Sequence, residues 1–276
     1  MSARTGLSPL LKTMLIVGFV FLYAPILSLI VYSFNESKLV TVWSGFSFKW
    51  YGELFRDAGI MKAAWVSLRI AFYTAWASVV LATIAAMVMT RFRSFRGKTL
   101  FGGLITAPLV MPEVITGLSI LLLFVALGIP RGMTTIWIAH VTFCVAFVTV
   151  VVSSRLSELD KSVEEAAMDL GANRVKVFFL ITLPIIMPAL ISGWLLAFTL
   201  SIDDLVVASF VSGPSSTTLP MKVFSSVRLG LSPKINALAT LMILIVAIAA
   251  AIAWWLMARD EKRRQRDMQM ALHDAT

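Results

Sequence analysis

The 276-residue chain is 59% hydrophobic and only 14% charged, with a mean hydropathy of +0.88. A soluble domain carries about 45–50% apolar and about 25% charged residues, so a soluble globular enzyme, a disordered chain and a disulfide scaffold are excluded. The formal charge of +9 suits either nucleic acid or basic loops facing a cytoplasm, and its distribution along the chain decides between them.

Six apolar stretches, 14–34, 66–89, 101–127, 134–153, 185–202 and 236–257, each approach the roughly 20 residues that cross about 30 Å of hydrocarbon. Lipid offers no partner to backbone N–H and C=O groups, so such runs are helical. The alternating strands of about 10 residues that a β-barrel needs are absent. The fold class is therefore an all-α polytopic membrane protein with six transmembrane helices. Residues 1–60 hold the first span and an outer loop, 61–260 the core, and 261–276 a basic tail.

The first stretch follows Arg4 and Lys12 as the apolar region of a signal peptide would. Its 21 residues exceed the usual ~7–15, and Glu36–Val40 offers no small-residue cleavage site. It is read as a retained helix kinked at Pro25. The loops then fall on two sides. The N-terminus, 90–100, 154–184 and the C-terminus carry 15 Lys/Arg, among them Arg91, Arg93, Arg96, Lys98, Arg259 and Lys262. Segments 35–65, 128–133 and 203–235 carry 8. The positive-inside rule puts both termini in the cytoplasm, which favours basic loops over nucleic-acid binding. Trp43, Trp50 and Tyr51 fall in the outer loop and Trp254 and Trp255 close the last span, as interfacial anchors do. Trp50 and Tyr51 have a second reading, because aromatic faces attract cations.

Gly97-Lys98-Thr99 mimics the end of a P-loop, but position 92, where the earlier glycine belongs, is Phe, and no strand precedes it. This chain is therefore read as carrying no P-loop. Glu113 lies about 12 residues into the third span, ~18 Å from its inner end and near the midplane of a straight helix. Pro108 and Pro112 precede it and call for a kink. An ionisable group at that depth is costly and faces a pathway or a partner. His140 is the only histidine in a span; it has no metal-ligand spacing to another His or Cys and is read as a helix-packing residue. A Ser119–His140 pair would be the nucleophile and base of an intramembrane protease, without further support in the sequence. Asp203 and Asp204 end the fifth span, ~28 Å from Pro184 and near the outer rim. Neighbouring helical positions are about 100° apart, so one aspartate can face the pathway while the other caps or pairs. Ser201 adds an oxygen beside Asp203.

The loop between spans four and five reads Ser157-Glu-Leu-Asp-Lys-Ser-Val-Glu-Glu-Ala-Ala-Met-Asp-Leu-Gly-Ala-Asn. Ser162 and Glu165 form a capping-box pattern, a helix of about 9 residues runs to Leu170, and Gly171 stops it. Val163, Ala166, Ala167 and Leu170 share one face, shallow enough for another protein to approach closely. Asn173 caps a second helix that runs towards Pro184.

Glu165-Ala166-Ala167-x-x-x-Gly171, nine residues, then Ile181-x-Leu183-Pro184 resembles the full EAA signature of type I permease subunits of binding-protein-dependent ABC importers. Tyr32-Ser33-Phe34-Asn35, Leu39–Trp43, Ala107–Pro112, Thr199–Asp204 and Ala208–Pro214 are similar to the polyamine branch, and within it to the putrescine permease subunits. The resemblance implies that the short helix is a coupling helix docking on an ATP-binding subunit, through Glu165, Ala166, Ala167, Gly171, Ile181, Leu183 and Pro184. It implies a homologous second permease, two ATP-binding subunits that carry ATP and Mg, a periplasmic polyamine-binding protein and an inner-membrane location. No cofactor in this chain and no enzymatic activity of its own are implied. A diamine needs carboxylates with aromatic or aliphatic surface between them. Glu113, Ser201, Asp203, Asp204, Trp50 and Tyr51 supply those types for a low-affinity pathway. Spermidine or another cationic amine would need the same types, and an ion-coupled secondary transporter would leave the EAA element without a partner.

Overall fold

The structure is a computed structural model that describes residues 8–39, 42–92, 94–230 and 232–274, without the side chains of 250, 253, 256–258 and 260–274. Arg4, Val40, Thr41 and Arg93, and the side chains of the basic tail beyond Arg259, lie outside the described residues. The chain divides into two compact units, residues 1–57 with 226–276, and residues 58–225. The first unit combines the chain up to Asp57 with the last helix.

In the first unit, α1 (Pro9–Ser33) packs against α12 (Pro233–Asp274), and α12 also meets α2 (Lys49–Arg56). Ser8 caps α1 by accepting from the Leu11 N–H, and Pro25 is carried inside a helix that remains one element. Apolar side chains cover α1 on all sides and stay exposed, the composition of a helix surrounded by lipid. Between α1 and α2 the buried Asn35 organises the loop. Its amide donates to the Val42 carbonyl at 2.7 Å, and its Oδ1 accepts from the N–H of Ser37 and Ser44. Phe34, Phe46, Phe48 and Tyr51 stack edge and face around it. Lys234 Nζ sits 2.8 Å from Asp57 Oδ2 and holds the start of α12 to the end of α2.

The second unit is built on α3 (Ala58–Arg91), α6 (Met133–Glu158) and α9 (Leu183–Asp203), which pack on one another. Their meeting faces are small residues and short aliphatics: Ala75, Val79, Ala82 and Ala86 on α3, Cys144, Val148 and Val152 on α6, Ile186 and Leu190 on α9. Small side chains let helix backbones approach where no water drives association. Gly193 is the closest such approach, since a Cβ there would stand 2.8 Å from Val148 Cγ1. Around this trio lie α4 (Lys98–Val110) and α5 (Glu113–Ala126), then α7 (Lys161–Asp169) and α8 (Arg174–Val177) with a π-turn, Phe178–Thr182. α10 (Val206–Val211) and α11 (Leu219–Leu229) follow, the latter running into the division between units. α10 packs on α5 and α6, burying Val207, Ala208 and Val211 against Phe124, Ile136 and Ala139.

Among the described residues, four helical runs are long and apolar enough to cross a membrane: Pro9–Ser33, Ala58–Arg91, Met133–Glu158 and Arg174–Asp203. The bent pair α4–α5 makes a fifth if taken as one span. The expected sixth lies on α12, whose described apolar part, Pro233–Ala249, is shorter. The third expected span is not one kinked helix: α4 and α5 meet at 116°. Pro112 lacks the N–H that a continuing helix needs and pushes Met111 before it into an extended conformation, ψ 134°. Pro112 is itself extended, ψ 135°, so two non-helical residues in succession turn the chain. The midplane depth reckoned for Glu113 on a straight helix is corrected accordingly. Three short helices, α2, α10 and α11, occupy segments read from sequence as loops.

Candidate functional site

In the segment between α6 and α9 the chain makes a capped helix, a left-handed turn and a second capped helix. The expected Ser162–Glu165 capping box does not form. The N-cap lies two residues earlier, at Asp160, which accepts from the Ser162 N–H at 2.9 Å. As an N-cap its carboxylate also meets the positive end of the helix. The Ser162 N–H, and after it the Ser162 hydroxyl, hold the Asp160 carboxyl below its ordinary value. α7 is nine residues long. Gly171, φ +87°, ends it as expected, with Ala172 N–H on Ala167 O at 3.1 Å and Gly171 N–H on Met168 O at 2.9 Å. Asn173 accepts from the Lys176 N–H at 2.8 Å and starts α8.

From Arg174 the chain stays helical to Asp203, so the fifth span begins 11 residues before its expected start at 185. The π-turn is the accommodation of Pro184. A proline leaves the carbonyl four residues earlier without its donor, and in the wider turn the Leu183 N–H reaches Phe178 O instead. Ile181 lies in this turn, and Leu183 and Pro184 open α9. Glu165 and Ala166 are exposed, Ala167 half-buried, and Leu170 is 90% exposed. The shared apolar face of α7 is thus uncovered within the chain. Beside it opens a cavity of about 470 Å³ lined by Arg91, Lys161, Glu164, Glu165, Arg174 and Thr182 among others.

The second candidate region lies where α9 gives way to α10. Asp203 is the last residue of α9 and is exposed. Asp204 is occupied: it accepts from the N–H of Val207 at 3.3 Å and of Ala208 at 2.7 Å, and its Oδ2 lies 3.1 Å from His140 Nε2. The other ring nitrogen of His140 is 2.7 Å from Ser201 Oγ. His140 and Ser201 are both buried. His140 is a helix-packing residue as expected, and it packs through polar contacts: it bolts α6 to the end of α9 and to the start of α10. The sequence signal was there, since a histidine in an apolar span must find polar partners. Those partners are Ser201 and Asp204. The hydroxyl is buried in packed helices, so the trio is a structural tie rather than a hydrolytic centre. Ser201, expected as a free oxygen, is likewise committed to His140.

Glu113 is the first residue of α5 and is exposed. One turn on, Gly117 abuts α10: a Cβ there would stand 2.7 Å from Phe210 Cδ2 and 3.3 Å from Val207 Cα. Further along, the Arg131 carbonyl crowds Gly213. Glu113 stands four residues before Gly117 and so lies on the same side of α5 as the glycine that abuts α10. Trp50 and Tyr51 belong to the other unit. Trp50 is 4% exposed and its indole N–H donates to the Asn35 carbonyl at 2.7 Å, while the Tyr51 hydroxyl bonds Ser33 Oγ at 2.7 Å. The ring expected to meet a substrate cation is packed inside its unit, and the cation beside it is Lys49, 5.3 Å from the ring centre. Among the described residues no cluster of His, Cys, Asp or Glu has the makings of a metal site.

Residues 78–266 match the family model described as binding-protein-dependent transport system inner membrane component. Over 270 residues the chain is 66% identical to the putrescine transport system permease protein PotI of Escherichia coli strain K12, covering 96% of each. It is 42% identical over 245 residues to the spermidine/putrescine transport system permease protein PotC of the same organism, covering 89% of this chain and 92% of that one. Among solved structures it is similar to a chain of a bacterial ABC transporter that imports the acidic polysaccharide alginate. That match has a TM-score of 0.70 at 18% identity and covers 88% of this chain and 93% of the other.

Proposed function

Because the chain belongs to the family of binding-protein-dependent transport system inner membrane components, we propose that it is the multi-pass permease subunit of an ATP-driven importer carrying putrescine into the cytoplasm. The observation that carries the transport reading is the α7–Gly171–α8 hairpin, capped at both helix starts and leaving the small face of α7 open. Such a face receives another protein without moving bulky side chains. In this reading α7 seats on an ATP-binding subunit through Glu165, Ala166 and Ala167, and Ile181, Leu183 and Pro184 lead its displacement into α9. Two ATP-binding subunits, a second homologous permease and a periplasmic polyamine-binding protein complete the assembly.

ATP is hydrolysed outside this chain. The local look-alike, Gly97-Lys98-Thr99, is a helix start: Gly97 is left-handed with φ +93°, and Lys98 Nζ donates to the Phe92 carbonyl at 2.9 Å. The 15 basic residues assigned to one side support cytoplasmic termini. ATP binding and release favour in turn the outward- and inward-open states, and transport follows from their different affinities for the binding protein and the ATPase.

For the substrate, the two exposed carboxylates, Glu113 and Asp203, are the groups that meet the ammonium ends of a diamine. Asp204 and Ser201, through His140, fix the end of α9 on which Asp203 stands. Trp50 and Tyr51 shape the outer loop instead of lining the path. The test is uptake of labelled putrescine, with spermidine as competitor, into proteoliposomes holding the co-purified complex, with binding protein outside and ATP inside. ATP-dependent uptake that excess spermidine barely lowers supports the putrescine reading. Equal suppression by spermidine leaves a general polyamine importer, and hydrolysis without uptake of either amine overturns the substrate.

A further inference from the structure

A small polar cluster that no motif announces holds α7 to its own unit. Glu164 Oε2 lies 2.8 Å from Arg91 Nε, an ion pair not aligned as a hydrogen bond, with side chains 13% and 10% exposed. The other oxygen, Oε1, accepts from the buried Thr182 hydroxyl at 2.8 Å. The Arg91 guanidinium also donates to the carbonyl of Leu159, between α6 and α7, at 3.3 Å. One carboxylate therefore joins the last residue of α3, the first turn of α7 and the π-turn that feeds α9.

The neighbouring pair Arg155–Glu158 is exposed on both sides, and pairs of that kind contribute little. The Arg91–Glu164 pair is different. Removing either partner leaves a charge in a mostly desolvated wall, and the pair's virtue is directional, fixing one arrangement of three elements. Glu165, the next residue, lies about 100° round the helix and is exposed. α7 thus has an inward carboxylate that ties it down and an outward one facing its surroundings.

We propose that Arg91, Glu164 and Thr182 are positioning residues for energy coupling. They lock α7 to α3 and to the π-turn, so that a displacement of α7 reaches both helices as one movement. Without the lock, α7 would shift into the adjoining 470 Å³ cavity and the movement would dissipate there. This rests on the reading of α7 as the coupling helix. A two-state element biased from one end is the physical requirement for coupling, and a lock of this kind supplies its stiffness.

The test uses the whole complex in proteoliposomes and reads putrescine taken up per ATP hydrolysed. Glu164→Gln keeps an acceptor for Thr182 but loses the charge, Arg91→Met loses the opposite charge, and Thr182→Val loses only the hydroxyl. The ratio is expected to fall at least about fivefold in the first two and about twofold in the third, with ATPase subunits still co-purifying. The exchange Arg91→Glu with Glu164→Arg recovers part of the ratio. An unchanged ratio in the single variants overturns the lock, as does uptake falling only in step with hydrolysis. If the charge variants fail to assemble, Thr182→Val decides alone, because it leaves both charges in place. Absence of ATP-dependent uptake in the unmodified complex would instead sink the transport reading.

Discussion

At the α7–α8 hairpin the capping side chains work locally. Asp160 and Asn173 cap the helices that follow them, and Gly171 turns the chain between the two. At the end of α9 they work at long range: His140 reaches across 61 residues of sequence to Ser201 and 64 to Asp204. The first arrangement leaves a clean outer face for a partner. The second divides two adjacent carboxylates into a tied one, Asp204, and an open one, Asp203. Docking needs a stiff, self-contained element, whereas a pathway carboxylate needs a fixed backbone and a free side chain.

The largest expected effect breaks the hairpin. Gly171→Pro forces φ to about −65° where the chain needs +87°. ATP-dependent uptake should be abolished while the permease remains in the membrane, as quantified by immunoblot beside the uptake assay. Gly171→Ala, strained by about 1–2 kcal/mol at that φ, should give an intermediate rate. Wild-type uptake in the proline variant would deny the hairpin any role in coupling.

Next come the carboxylates at the other region. Glu113→Gln and Asp203→Asn should each lower putrescine uptake at least about tenfold, by analogy with the loss of a charge-assisted contact worth about 1.5–3 kcal/mol. Neither should change the unfolding temperature of the purified protein by more than a few degrees. Asp204→Asn should do the reverse in emphasis, lowering thermal stability by about 1–3 kcal/mol because the buried His140 loses its carboxylate acceptor. If Asp203→Asn destabilises and Asp204→Asn only slows uptake, the division of labour is wrong.

These two regions also differ in how far the sequence discloses them. The hairpin was readable because its signals are local: a glycine at a left-handed stop, an asparagine at a cap, a four-residue apolar repeat. Even so, its cap was misplaced by two residues, because Asp160 outcompetes Ser162 for that position. The tie at His140 was only half readable: a histidine in an apolar span calls for polar partners, but nothing local pairs residue 140 with 201 or 204. Arg91–Glu164 was invisible for the same reason. The α4–α5 bend was half legible: Pro112 announces a break, but the 116° angle is set by two successive extended residues and by the seating of Gly117 on α10. α2 was missed because Lys49–Arg56 mixes polar and aromatic residues that pass for a loop.

A smaller effect separates packing from pathway in the outer loop. Trp50→Phe removes the indole N–H that donates to the Asn35 carbonyl, and should cost about 0.5–1.5 kcal/mol in thermal unfolding. Uptake should stay within about twofold of wild type, because the ring is buried and its cation is Lys49. A tenfold rise in KM for putrescine would restore the indole to the pathway.

The smallest effect is a pH dependence confined to the hairpin. The Asp160 carboxyl is held below its ordinary value of 3.8 by the Ser162 N–H and then the Ser162 hydroxyl. A carboxyl depressed by folding stabilises the folded form above its unfolded value. That contribution fades as pH falls from there through the lowered folded value, when protonation weakens the acceptor. Amide protection across the first turn of α7, read by hydrogen exchange in nanodiscs, should therefore drop below about pH 4. Asp160→Asn caps about as well but cannot titrate, so its first-turn protection should show no such step. The step should also be absent at α8, whose cap, Asn173, is already uncharged. A step of equal size at both helices would mean that acid loosens the whole loop rather than one cap, and the self-contained character of α7 would fail.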